Sequence, residues 1–290
     1  MVALFAIGAA FLYALGHIIT RIGIGNSNAL SGTFITAVFA LTASVIGSLF
    51  FVPIALYSSP GVLYFIMAGF LGPFLARYFL FIGIGRVGAS ITIPISQTSV
   101  LVSAITALVL LGEGLTFPIA LGTLLIIVGA ITVSLEESGG QIEREWSKKD
   151  LIFPVLSSVF YGLSHIARKM GLALTPEPLM GVAIQNATTL VFLPLIAQFL
   201  RKRQRLILND KMTWFTFSMV GLVIVIGQFF VFLSLQRGQV IVAAPLFTLQ
   251  PFFVLIFAAL FLRRLEKVTW RIVMGSALIV GGSVVLTALS

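Results

Sequence analysis

Nine stretches of this chain contain no Asp, Glu, Lys or Arg: residues 1–20, 22–76, 87–112, 114–135, 151–167, 178–200, 212–236, 238–262 and 272–290. A helix needs about 20 apolar residues to cross the hydrocarbon core of a bilayer, so eight of the nine stretches hold one crossing each. The stretch 22–76 is too long for one. Its turn-forming run from Pro53 to Gly61 (PIALYSSPG) divides it into two. The expected spans are 2–24, 29–52, 62–85, 89–111, 115–135, 151–172, 178–200, 212–235, 239–262 and 268–289. These runs are apolar on every side and do not alternate, which excludes a membrane β-barrel. Only 9% of the 290 residues are charged and mean hydropathy is +1.13, too little polar surface to wet a soluble exterior. The fold class is an all-α integral membrane protein with ten transmembrane helices.

With no cysteine, the chain has no disulfide, thiolate metal ligand or cysteine nucleophile. The net charge of +9 sits at the ends of apolar runs, where membrane-flanking residues belong. The basic character therefore points to the lipid bilayer and not to nucleic acid. The N-terminus opens directly into apolar sequence, so no cleaved signal peptide is expected.

The chain repeats itself. FLYALGHIITRIGIG from Phe11 aligns without a gap to VFYGLSHIARKMGLA from Val159, at an offset of 148. GRVGASITIPI aligns with QRGQVIVAAPL, matching Pro94 to Pro245 at an offset of 151. Glu113, Thr116, Gly122 and Gly129 match Glu266, Thr269, Gly275 and Gly282 at 153. The expected units are residues 1–135 and 151–290, joined by a polar linker over 136–150 (EESGGQIEREWSKKD). Five crossings per unit is odd, so the second unit enters the membrane from the opposite side. Inverted repeats of this kind build many secondary transporters, with the substrate site near the midplane.

Three features carry a family resemblance: Tyr13-Ala14-Leu15-Gly16 in the first span, the turn Leu111-Gly112-Glu113-Gly114-Leu115-Thr116, and the Gly-rich fifth span to Gly129. On these the chain resembles the drug/metabolite transporter (DMT) superfamily, EamA type, over essentially its whole length. The resemblance implies ten helices in two inverted repeats and movement of small metabolites. It also implies cytoplasmic termini. Tyr13 stands where a Trp is common, the second span lacks the Arg often found there, and Arg77 is unusual at its place.

Ionisable residues inside hydrocarbon are costly and mark functional sites. Arg77 is the deepest charge, and none of the spans contains Asp or Glu to neutralise it. It has three destinations: a headgroup reached by snorkelling, backbone carbonyls, or a wet cavity where an anionic substrate is its counter-ion. Tyr13 and His17 are four residues apart on one helix face, and Tyr161 and His165 repeat the pair. The histidines are candidates for proton coupling, expected at mirrored depths. Gln97, Gln185, Asn186, Gln228 and Gln250 complete the polar set, although interhelical amides more often serve packing. Gln228 is the repeat equivalent of Arg77. The candidate substrate-binding residues are Tyr13, His17, Arg77, Gln97, Tyr161, His165, Gln185, Asn186 and Gln228. The prolines, among them Pro73, Pro94, Pro245 and Pro251, free helix carbonyls near such a cavity. Glu113 and Glu266 are read as turn-fixing groups. Gly122, Gly129, Gly275 and Gly282 are read as close-packing sites.

Fourteen Lys and Arg residues fall in connections after odd-numbered spans; Arg168, Lys169 and Arg237 fall on the other side. Positive residues stay in the cytoplasm, so this count places the linker inside and both termini outside, opposite to the family resemblance. No catalytic residues, metal site or cofactor are expected, and no phosphate-binding GxxxxGK[ST] loop occurs. The expected function is a secondary active or facilitative transporter of a small polar or anionic metabolite in the cell (plasma or inner) membrane, as a monomer or homodimer. A channel or scramblase-like activity and a non-transporting membrane protein are the alternatives.

Overall fold

The computed structural model describes residues 1–111, 117–134, 146–200, 206–238, 240–247, 249–261 and 269–288. Glu113, Thr116, Glu266, linker residues 136–145 and the basic run 201–205 lie outside these. Helices α1 (Val2–Gly23), α2 (Ala29–Phe51), α3 (Gly61–Val87) and α5 (Phe117–Ser134) belong to the first half. Helices α6 (Ile152–Leu174), α7 (Pro178–Leu200), α8 (Lys211–Arg237) and α10 (Trp270–Ala288) belong to the second. The fourth and ninth crossings are each made of two pieces. These are α4a (Ala89–Ser96) with α4b (Ser99–Leu111), and α9a (Val240–Phe247) with α9b (Gln250–Phe261). No strand occurs among the described residues. Many of these segments are rich in Val, Ile and Phe, ordinarily poor helix formers. In hydrocarbon each backbone N–H and C=O must be paired within the segment, and that demand overrides propensity.

The helix ends follow from local chemistry. Asn28 caps α2 by accepting from the Ser31 amide at 2.9 Å. Asp210 caps α8, accepting from the Thr213 hydroxyl at 2.6 Å and the Thr213 amide at 2.7 Å. Those bonds hold its carboxyl below the usual carboxylate range. Between α3 and α4a the chain turns on Gly88, whose φ of 88° is the left-handed conformation that only glycine adopts without strain.

Three interruptions shape the interior. Pro73 lacks an N–H, and α3 accommodates it with a π-helical stretch over Phe70–Ala76. Helix α4 breaks at Gln97–Thr98 after Pro94, and the fourth and ninth crossings break at equivalent places, just before Ser99 and Gln250. Broken helices at the midplane are tolerated only where protein or a polar cavity surrounds them.

Packing follows a two-fold pattern. Helix α1 lies along α8 as α6 lies along α3; α1 contacts both pieces of the ninth crossing as α6 contacts both pieces of the fourth. Helices α5 and α10 pair with each other, as do α2 and α7. The paired crossings, α4 and α9 included, make up the ten-helix membrane fold of two inverted five-helix repeats. Along the α5–α10 seam a Cβ on Gly129 would lie 2.6 Å from the Gly275 carbonyl oxygen, and one on Gly282 would lie 2.6 Å from that of Gly122. The four glycines are the points where two backbones touch.

One sequence expectation needs correction. The charge count groups Arg168 with the flanking residues, but it lies within α6, as the expected span 151–172 has it, at 2% exposure. A cation buried there takes no part in setting orientation, which leaves Lys169 and Arg237 on the side opposite the fourteen. Lys169 does behave as an end residue, donating to the carbonyls of Leu235 and Gly238 at the end of α8 at 3.0 and 2.8 Å.

Candidate functional cavity

The breaks in the fourth and ninth crossings open onto one cavity of about 40 Å³, room for a few water molecules in this conformation. Ser96, Gln97 and Ser99 reach it from the first break, and Ala244, Phe247 and Gln250 from the second. Tyr13 and His17 of α1 and Tyr161 and His165 of α6 line it as well. The repeated Tyr–His pairs therefore line one chamber.

Each histidine is held differently. The His17 Nε2 lies 3.2 Å from the Gln250 amide oxygen and donates to it, and its ring stacks near Tyr13, centroids 6.3 Å apart. His165 stacks on Phe247 at 5.5 Å. The Nδ1 of both rings is buried without a hydrogen-bond partner. Buried polar atoms are normally paired, so both rings have capacity for a further contact.

Arg77 is 2% exposed and begins the α-helical turn that follows the π stretch of α3. It does not snorkel. Its guanidinium interacts with the Tyr161 hydroxyl behind the cavity wall, and its Nη1 has no partner. Arg168 lines the cavity directly. Its Nε donates to Gln185 Oε1 at 3.2 Å and its guanidinium rests 5.6 Å from the Phe232 ring centre. Gly72, in the π stretch, admits the Arg168 Nη2 to within 2.9 Å of where a Cβ would be. Gly69 and Gly72 thus let α3 close on α7 and α6.

Of the nine sequence candidates, Tyr13, His17, Gln97, Tyr161 and His165 line the chamber. Arg77 and Gln185 stand behind it, in contact with residues that do. Asn186 and Gln228 lie outside its wall and pair with each other, Asn186 Nδ2 donating to Gln228 Oε1 at 2.8 Å. That reciprocal amide pair ties α7 to α8. Lining residues outside the nine candidates include Ser96, Ser99, Phe247 and Arg168, of which Arg168 carries the charge. Among the described residues no cluster of three or more His, Asp or Glu forms a metal site.

The arrangement is a polar, cationic chamber at paired helix breaks inside an apolar bundle, suited to desolvating and holding a small molecule. No curated protein matches the chain. A protein of known crystal structure superposes with a TM-score of 0.72 over 99% of this chain and 96% of its own, at 16% identity; at that identity the likeness establishes the fold alone. The profile of the EamA-like transporter family matches residues 1–135 and 148–288. The chain thus belongs to the EamA-like transporter family of the DMT superfamily, whose members are membrane transporters.

Proposed function

We propose that this protein is a secondary or facilitative transporter of a small polar or anionic metabolite, working by alternating access in the cell membrane. The observation that carries the reading is the meeting of both Tyr–His pairs, one from each half, in a single chamber at the two helix breaks. A site shared by two inverted halves is exposed to either side by equivalent motions. The halves are taken as residues 1–135 and 151–290, with 136–150 as linker.

The chamber's charge supports an anionic or polar cargo: Arg168 lines it, Arg77 stands behind Tyr161, and no carboxylate is found in its wall among the described residues. The ends of the bundle support alternation. At one end Arg21 of α1 donates to the Ile84 carbonyl at 3.5 Å; its repeat equivalent Lys169 donates to the equivalent carbonyl of Leu235 at 3.0 Å. Each is a cation at a helix C-terminus, and the two form a symmetric pair of ties on opposite sides of the membrane. His17 and His165 are the candidates for proton coupling.

The test is transport by the purified protein in proteoliposomes. Loaded with an unlabelled small anion or amino acid, the vesicles are expected to accumulate the labelled form by saturable counterflow. Non-saturable, concentration-proportional flux for every cargo tried would mark a channel or scramblase instead. Orientation follows the charge count in this reading, with the linker cytoplasmic. A cysteine introduced at Ser138 is then protected from an impermeant thiol reagent in intact cells and reactive after lysis. Labelling of intact cells reverses the assignment.

A further inference from the structure

We propose that the transported molecule carries two negative charges, and that Arg77 from the first half and Arg168 from the second are its two counter-ions. The inference rests on the transport reading above and narrows it to a substrate class.

The charge inventory comes first. None of the nine Asp and Glu residues falls within a helix as bounded above, so among the described residues no helix carries a carboxylate that could pair with the two arginines. Both arginines are nonetheless 2% exposed. Isolated buried charges are strongly disfavoured, and the partners found among the described residues, Tyr161, Gln185 and Phe232, are neutral. Tyr13, Tyr161 and Arg168 line the same chamber, and the Arg77 guanidinium bonds the Tyr161 hydroxyl. The four side chains therefore form one cluster.

The second consideration is how the guanidinium groups are held. Arg168 is fixed along one edge by Gln185 and on one face by Phe232, while its side chain borders the chamber. Arg77 keeps a buried Nη1 with no partner. Guanidinium groups match carboxylate and phosphate oxygens in bidentate geometry. A single negative charge would leave one of the two cations uncompensated. Two acidic groups on one small molecule, or one phosphate monoester, would balance both.

The third consideration is the origin of the pair. The sequence equivalent of Arg168 in the first half is Thr20, and that of Arg77 in the second half is Gln228. The two cations are therefore not duplicates inherited together; each half contributes its own from a different helix, Arg168 in the chamber wall and Arg77 behind the wall residue Tyr161.

Succinate and methyl phosphate serve as doubly charged probes; monomethyl succinate and dimethyl phosphate are their singly charged counterparts. Thermal unfolding of the purified protein is followed as each is titrated at constant ionic strength. At least one dianion is expected to stabilise saturably, at concentrations at least about thirtyfold lower than its monoanionic counterpart. Whether succinate or methyl phosphate does so separates dicarboxylates from phosphate monoesters. In Arg77→Gln or Arg168→Gln that preference should disappear. Equal response to dianion and monoanion, or no response to any probe, overturns the proposal without a variant being needed. Persistence of the preference in both variants also overturns it. Saturable counterflow of a neutral or singly charged cargo would leave the transport reading standing while this one fails.

Discussion

Arg77→Met is expected to raise the unfolding temperature of the purified protein in the absence of ligand while removing anion-dependent counterflow. The two effects share a cause. In the native protein the guanidinium is buried at 2% exposure with a tyrosine and no carboxylate opposite it. Exchanging buried ionic groups for apolar side chains of similar volume stabilises proteins by about 1–4 kcal/mol, roughly 3–10 °C for a chain of this size. The same charge attracts an anionic cargo, and its loss should lower flux by roughly a hundredfold. A gain in stability joined to a loss of activity is the signature of a residue kept for function. If Arg77→Met instead lowers the unfolding temperature as an ordinary core truncation does, Arg77 is a structural element of α3 and the counter-ion role falls.

Gly129→Leu and Gly282→Leu should each prevent the protein from accumulating in folded form. A Cβ on Gly129 would lie 2.6 Å from the Gly275 oxygen and 2.8 Å from an Ile279 side-chain carbon; on Gly282 it would lie 2.6 Å from the Gly122 oxygen. The nearest obstacle in each case is a backbone oxygen, which no rotamer change moves. The cost is at the upper end of overpacking, about 3 kcal/mol or more, and it falls on the whole α5–α10 seam. Gly281 is an internal control, because a Cβ there has nothing within 4 Å. Gly281→Leu should give a normal yield of monodisperse protein by size-exclusion chromatography. Equal behaviour of the neighbouring variants would mean that the seam is not closely packed.

The crossings were legible in the sequence because hydrocarbon imposes one rule on every residue of a span, and a break in that rule shows as a charge. The boundary at Val52–Pro53 and the turn at Gly88 carry their own chemistry, so those ends fell within a few residues of expectation. Arg168 was illegible for the same reason that the spans were clear. A charge near the end of an apolar run reads as a flanking residue, and beside it Lys169 is one. Two neighbours on a helix point about 100° apart, so one caps α8 while the other enters the chamber. Only three-dimensional packing separates them. The repeat made the Tyr–His pairs visible, but an alignment cannot say that both face one chamber. The pairing of Asn186 with Gln228 required knowing that α7 meets α8.

The divided fourth and ninth crossings bear on how the protein is made. Piece α4a has 8 residues, about 12 Å of helix, far less than a bilayer's apolar depth. Its exposed joint is sealed by the other half: Thr98 bonds Ser158 at 2.7 Å, and Ser103 donates to the Gly162 carbonyl at 3.2 Å, both in α6. The joint of the ninth crossing is closed in turn by His17 of α1. Each half therefore contributes side chains that close the other's gap. A gene cut at the linker is therefore expected to yield stable protein only when both fragments are produced together.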